Sequence, residues 1–201
     1  KADIARFVDE MKQLNLPNTI FIDCTASSDV AAHYEGILSS SISIVTPNKR
    51  ANSGSIADYR SFKRRAARAN VKFFYETNVG AGLPVIGTLN DLIASGDEII
   101  RIEAVLSGTL SFIFNSFKGG TTFSQIVRDA KAKGYTEPDP RDDLSGTDVA
   151  RKLLILAREM GLELELPDIE VQSLVPEECR AAGSVEEFFE RLGRSDGSFE
   201  T

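Results

Sequence analysis

The 201-residue chain is 42% hydrophobic and 26% charged, enough apolar content for a substantial core in one domain or two small ones, which excludes disorder and a coiled coil. A net charge of −7 speaks against a nucleic-acid surface, and the local basic cluster Lys63-Arg64-Arg65 with Arg68 reads as the solvated face of a helix. Two isolated cysteines, Cys24 and Cys179, are too few for a zinc site or a disulfide framework and suggest a reducing compartment, and with no signal peptide or membrane-length apolar run a soluble protein is expected.

Ile4, Phe7, Val8, Met11 and Leu14 recur at helical spacing and stop at Pro17-Asn18, so a helix leads in over residues 3–16. Residues 19–25 read as a short buried strand, 29–39 as a helix and 42–46 as a second strand, an alternation that means a parallel α/β sheet. In such sheets ligands bind at the carboxyl ends of the strands. The loops there are Asp23 to Ser27, where Thr25 and Ser27 could face a ribose or nicotinamide, and Thr46 to Arg50, where Lys49 is a cation in the right place but as often a plain surface lysine. His33, the one histidine, sits in a helical pattern and reads as a structural residue rather than a catalytic base. No Gly-x-Gly-x-x-Gly follows a strand; that fingerprint would belong to a strand before Lys1.

A basic helix over 55–70, a strand over 71–76, a Gly-rich turn over 77–84 and a helix over 85–94 come next. Glycines near a helix start can accept a phosphate or let carbonyls wrap a cation, though a tight strand-to-helix connection explains them equally well. Residues 98–106 alternate as a strand, Ser107 starts a short apolar helix, and 121–132 form a helix capped by Thr122 or Ser124 and ending at Gly134.

Residues 133–152 then stand out. Pro138 and Pro140 fix φ and remove backbone donors, so the first half is expected to be a stiff irregular loop, neither helix nor central strand, that holds Glu137, Asp139, Asp142 and Asp143. From Ser145 or Thr147 an amphipathic helix follows with Val149, Leu153, Leu156 and Met160 on its apolar stripe. Asp148 and Lys152 lie one turn apart on one face of it. An acid-lined pocket facing one lysine competes here with the bland reading of an acidic helix start carrying an ordinary ion pair. Further on, 162–166 read as a strand, Ser184-Val-Glu-Glu as a capping box, and the polar tail closes no element, so the chain is expected to continue at both ends.

Four stretches, Val45 to Lys49, Tyr75 to Pro84, Ser107 to Asn115 and above all Gly134 to Lys152, resemble homoserine dehydrogenase, in particular the dehydrogenase half of bifunctional aspartate kinase/homoserine dehydrogenases. The resemblance covers essentially the whole chain. It implies an α/β fold with a partial Rossmann-type NAD(P)-binding domain over residues 1–76 and an α+β substrate and dimerisation domain with a mixed sheet over 77–201. The implied reaction is NAD(P)H-dependent reversible reduction of L-aspartate 4-semialdehyde to L-homoserine, in threonine and methionine biosynthesis. Lys152 would be the catalytic acid, with Lys49 as a second catalytic residue; Glu137 and Asp148 would hold the substrate with Asp143, Tyr135 and Thr109 nearby; Lys49, with Thr25 and Ser27, would also line the cofactor. A sodium ion would be held by main-chain carbonyls of Glu76, Val79, Ala81 and Leu83. The resemblance further implies a homodimer or higher oligomer, fusion to an aspartate kinase domain, and a cytoplasmic or plastid-stromal home. The family's pyrophosphate loop and C-terminal return segment fall outside these 201 residues, so weak or no cofactor binding is expected of this stretch by itself; its different-class alternative is a catalytically incomplete dimerisation or regulatory module. An acidic metal-binding hydrolase on the Glu137 to Asp148 cluster is disfavoured, since no histidine lies nearby.

Overall fold

In the computed structural model, residues 3–199 are described. They divide into two compact units that do not follow chain order: one comprises residues up to Arg101 together with Arg151–Ile169, the other Ile102–Ala150 together with the residues from Glu170 onward.

The first unit is built on a three-stranded parallel sheet, β1 (Ile20–Ile22), β2 (Ser43–Val45) and β3 (Phe73–Phe74), in that order, with Ile20 opposite Ser43 and Ile44 opposite Phe73. Helix α1 (Ile4–Leu14) starts on Asp3, whose carboxylate accepts the Arg6 N–H at 3.0 Å, and ends at Asn15 in the left-handed conformation. The helical pattern expected over 29–39 is broken at Ala32-His33 into α2 (Ser28–Ala31) and α3 (Tyr34–Ser39). Helix α4 (Ile56–Ala69), capped by Ser55, returns the chain to β3. Period-2 alternation turns Phe21 and Ile44 into a core with Val8, Ile37, Leu38 and Phe62. At its centre the Tyr34 ring is edge-on to Phe21, Phe62 and Phe73 at 5.8 to 6.4 Å. On the opposite face Ile20, Ile22, Val45 and Phe74 are exposed. Helix α5 (Val85–Ala94) follows the glycine-rich turn.

The second unit is helical among the described residues: α6 (Gly108–Ser116), α7 (Phe123–Ala132), α8 (Pro140–Leu144), α10 (Glu177–Arg180) and α11 (Val185–Arg194). Their core joins Ile113, Phe123, Val127, Leu144, Cys179, Phe188 and Leu192. Between α8 and α10 in sequence runs α9 (Thr147–Glu159), whose first four residues belong to this unit and the rest to the other.

Several expectations are corrected. Residues 98–106 and 162–166 form no strand, Leu166 opening a single 3-10 turn instead, and no mixed sheet occurs among the described residues of the second unit. Alternation specifies which side chains share a face, whereas a strand also needs a neighbour for its N–H and C=O groups. Pro140 does not prevent a helix: it occupies the first turn of α8, where its missing N–H is not needed, with Asp139 as N-cap. The Ser184 box is incomplete, because the Glu187 carboxylate accepts the N–H of Gly183 at 2.7 Å while Ser184 Oγ accepts that of Glu187. Helix α9 buries Ala150, Leu154, Ile155, Leu156 and Ala157, a wider arc than expected, and leaves Leu153 exposed. On α4, Arg64, Arg65 and Arg68 are solvated as expected, but Lys63 is drawn into an ion pair with buried Glu159, described below.

Candidate functional site

In the first unit the residues of interest sit on three loops at the carboxyl ends of the strands. Asp23, 2% exposed, ties the first two together. Its carboxylate accepts the Tyr34 hydroxyl at 2.5 Å, Asn48 Nδ2 at 2.9 Å and the Thr25 N–H at 2.7 Å, and its carbonyl accepts Thr46 Oγ1 at 2.9 Å. Burial, the largest influence, pushes the Asp23 carboxyl up, but the Tyr34, Asn48 and Thr25 donors together hold it below its ordinary value of 3.8. Burial, then the adjacent Asp23 carboxylate, pushes the Tyr34 phenol well above its usual range.

Thr25 is exposed, and its Oγ1 accepts the Ser27 N–H at 3.1 Å; Ser27 spends its own oxygen capping α2. Asn48 Nδ2 also donates to the Ser27 carbonyl at 2.9 Å, so the first loop is clamped to the second, which carries half-buried Lys49. The Lys49 carbonyl accepts the Ser53 N–H and hydroxyl.

After β3, the Glu76 carboxylate accepts the N–H groups of Ile86 and Gly87 at 2.7 Å each, anchoring the start of α5. Gly80 and Ala81 are both left-handed, with φ 82 and 53. The Gly80 position is cramped, since a Cβ there would lie 2.5 Å from Val85 Cγ2. Asn78 is fully buried and donates to the Thr46 carbonyl at 3.1 Å, while accepting Asn52 Nδ2 at 3.0 Å. Of the four residues expected to offer carbonyls, Val79 is buried and Ala81 and Leu83 are exposed; the Glu76 carbonyl already accepts the Val79 N–H at 3.4 Å, and that of Leu83 accepts the Val85 N–H at 2.9 Å. Two of the four carbonyls thus already carry a hydrogen bond within the turn. Among the described residues no group of three or more His, Cys, Asp or Glu is placed to hold a metal.

In the second unit Thr109 and Tyr135 come together: Thr109 Oγ1 donates to the Tyr135 carbonyl at 2.5 Å, and both line an open depression of about 650 Å³ with Phe112 and Asn115. The Tyr135 ring stands against Phe112 at 4.9 Å. The acidic loop is more divided than its sequence implies. Asp139 caps α8 and pairs with Arg141 at 2.5 Å, a contact that, with opposing burial, holds its carboxyl below the ordinary range. Asp143 accepts the Glu137 N–H at 2.8 Å, and the Glu137 side chain is exposed. Asp148 lies in the first turn of α9, and half-buried Lys152 follows one turn later on the same helix face.

The family model described as homoserine dehydrogenase, NAD binding domain, matches residues 1–76, and the one described as homoserine dehydrogenase matches residues 84–195. The chain belongs to the homoserine dehydrogenase family. It is 53% identical over 196 residues to a chloroplastic bifunctional aspartokinase/homoserine dehydrogenase of Daucus carota, covering 97% of this chain and 21% of that protein. It is 49% identical over 190 residues to a homoserine dehydrogenase of Paracoccidioides brasiliensis, covering 90% of this chain and 51% of that one. Among solved structures, a Candida auris protein of unknown function superposes with a TM-score of 0.90 at 39% identity, covering all of this chain and 57% of its own. A hyperthermophilic archaeal homoserine dehydrogenase solved with NADPH gives 0.70 at 31% identity, covering 80% and 47%. The chain thus spans about a fifth of the bifunctional relatives and about half of the fungal homoserine dehydrogenase.

What the motifs of this homoserine dehydrogenase family chain did not reveal is the buried polar set behind the loops: Asp23, Tyr34, Asn48, Asn52, Asn78, Arg158 and Glu159. An Asp directly after the apolar run Ile20-Phe21-Ile22 was the one signal available in sequence. The others look like ordinary loop or helix-surface residues until their burial is known.

Proposed function

We propose that this protein acts as a homoserine dehydrogenase, reducing L-aspartate 4-semialdehyde to L-homoserine with NAD(P)H, reversibly. The observation that carries the reading is the helix α9 pair, Asp148 and Lys152, in the segment from Gly134 that also brings Tyr135 against Thr109. Lys152 delivers a proton to the carbonyl oxygen as it becomes a hydroxyl, a role an ammonium at a half-buried position can fill. Glu137 and Asp148 accept hydrogen bonds from the substrate's ammonium, and Asp143 orients Glu137 by holding its N–H. Thr109 and Tyr135 shape the substrate end. Bound nicotinamide supplies the hydride. Thr25, Ser27 and Lys49 lie at the carboxyl ends of parallel strands, where such a cofactor docks in this fold class, and the Asp23 and Asn48 clamp keeps those loops in place.

The carbonyls of Glu76, Val79, Ala81 and Leu83 would hold a sodium ion that stiffens the turn. The cofactor domain runs to residue 76 and the substrate and dimerisation domain from 77. Its relatives' names support fusion to an aspartokinase domain and, for the plant proteins, a plastid location; homodimerisation is part of the same proposal. The test is NADPH oxidation with aspartate semialdehyde in the whole protein, wild type against Lys152→Ala. Turnover should fall about 100-fold or more; full turnover in the variant would remove Lys152 from the mechanism.

A further inference from the structure

Helix α9 ends in two consecutive buried charges that no step above uses. The Glu159 side chain is 2% exposed and takes donors from two elements: Tyr59 hydroxyl at 2.7 Å and Lys63 Nζ at 2.9 Å from α4, and Tyr75 hydroxyl at 2.5 Å from the end of β3. Lys63 Nζ also lies 5.2 and 5.1 Å from the centres of the Tyr59 and Tyr75 rings. Burial pushes the Glu159 carboxyl up, but Lys63 and the two phenols together hold it below its ordinary 4.5, so it stays a carboxylate.

On the adjacent face, fully buried Arg158 donates to the Asn52 carbonyl at 2.8 Å, to the Leu164 carbonyl at 2.9 Å and to Glu165 Oε2 at 3.0 Å. Asn52 is on the loop that carries Lys49. Burying a charged pair is a poor way to gain stability, because well-packed apolar side chains do as well or better. What directional contacts add is a fixed orientation.

Lys152 and Glu159 are seven residues apart, and seven residues of α-helix return to within about 20° of the same face. Gripping Glu159 from two directions therefore sets the rotation of α9 about its axis, and with it the direction in which Lys152 leaves the helix. We propose that Glu159 is a positioning residue for the reaction, aiming Lys152 through the rotation of α9, with Arg158 keeping the same helix in register with the Lys49 loop. The inference rests on the reading of Lys152 as the proton donor.

The experiment is a double-mutant cycle in the whole protein, Glu159→Gln and Lys152→Ala singly and together, with thermal melts and steady-state kinetics. Lys152 acetylation, measured by mass spectrometry against exposed Lys72, accompanies them. Glu159→Gln should lower kcat about tenfold with the KM for NADPH changed less than about twofold, and should cost nothing more once Lys152 is gone. The acetylation rate of Lys152 relative to Lys72 should change several-fold. An unchanged kcat, an equal fall in both backgrounds, or an unchanged acetylation ratio overturns the proposal. If Glu159→Gln does not fold, Tyr75→Phe removes one of the donors without touching charge and is read in the same way. Inactive wild type, or a fully active Lys152→Ala, defeats the functional reading instead, and the acetylation ratio then decides by itself whether Glu159 orients Lys152.

Discussion

Replacing Asp23 by Asn removes the charge at the junction of the first two loops with little change of shape, and it also turns one of the two acceptor oxygens into an NH2 that cannot accept. Three donors converge on the carboxylate, from Tyr34, Asn48 and Thr25. A hydrogen bond to a charged group contributes about 1 kcal/mol more than one between neutral groups, so three of them lose roughly 3 kcal/mol; relief from burying the charge returns part of that. The net expectation is about 2 kcal/mol at pH 7, or a fall in Tm of roughly 4–8 °C, measured by urea unfolding and thermal melts. The pH dependence gives a second check. The folded carboxyl sits below its ordinary 3.8, so its contribution is complete above the unfolded pKa and is lost as pH falls through the folded one. Wild type and Asp23→Asn should therefore differ fully above about pH 5 and converge in stronger acid. A difference under about 0.5 kcal/mol at pH 7, or one that persists undiminished in acid, would refute the reasoning.

Gly80→Ala should destabilise by about 1–3 kcal/mol in urea unfolding, since the new Cβ meets Val85 Cγ2 at 2.5 Å and φ is 82, whereas Gly82→Ala, with nothing within 4 Å, should cost far less. Phe188→Ala removes a ring that is 0% exposed in the core of the second unit and should cost about 3–5 kcal/mol by the same measurement.

The parts of the fold legible in sequence were those fixed by local rules. Thr122 and Ser184 cap helices where the sequence pattern places them, and β1 and β2 fall inside the two apolar runs. Residues 98–106 show where such rules stop: Ile100, Ile102, Ala104 and Leu106 alternate in the sequence, yet no strand forms and Ile100 is 95% exposed, because alternation supplies no partner strand. In the stretch from Gly134 to Lys152 composition alone treats the loop carboxylates alike, and only the family resemblance singles out Glu137 and leaves out Asp139. The structure adds a physical difference between the two, pairing Asp139 with Arg141 and leaving Glu137 exposed with its N–H held by Asp143.

The buried polar residues of the first unit follow from the same parallel sheet that places the loops. At the carboxyl ends of parallel strands the ladder stops, and each backbone group beyond it needs another partner or loses about 1–3 kcal/mol. Thr46, one residue past β2, has its carbonyl met by Asn78 from the next loop, and Asn52 in turn holds Asn78. One residue past β1 the Asp23 carbonyl accepts Thr46 Oγ1, and Asn48 Nδ2 joins the first and second loops by donating to the Asp23 carboxylate and the Ser27 carbonyl. Each side chain that satisfies a strand end also fastens a neighbouring loop, so the groups that complete the fold's hydrogen bonding also immobilise Thr25, Ser27 and Lys49. Apolar packing could fill the same volume but would leave those strand ends unpaired and the loops free to shift, which explains why this end of the sheet is polar while the core beneath it, from Phe21 to Phe62, is not.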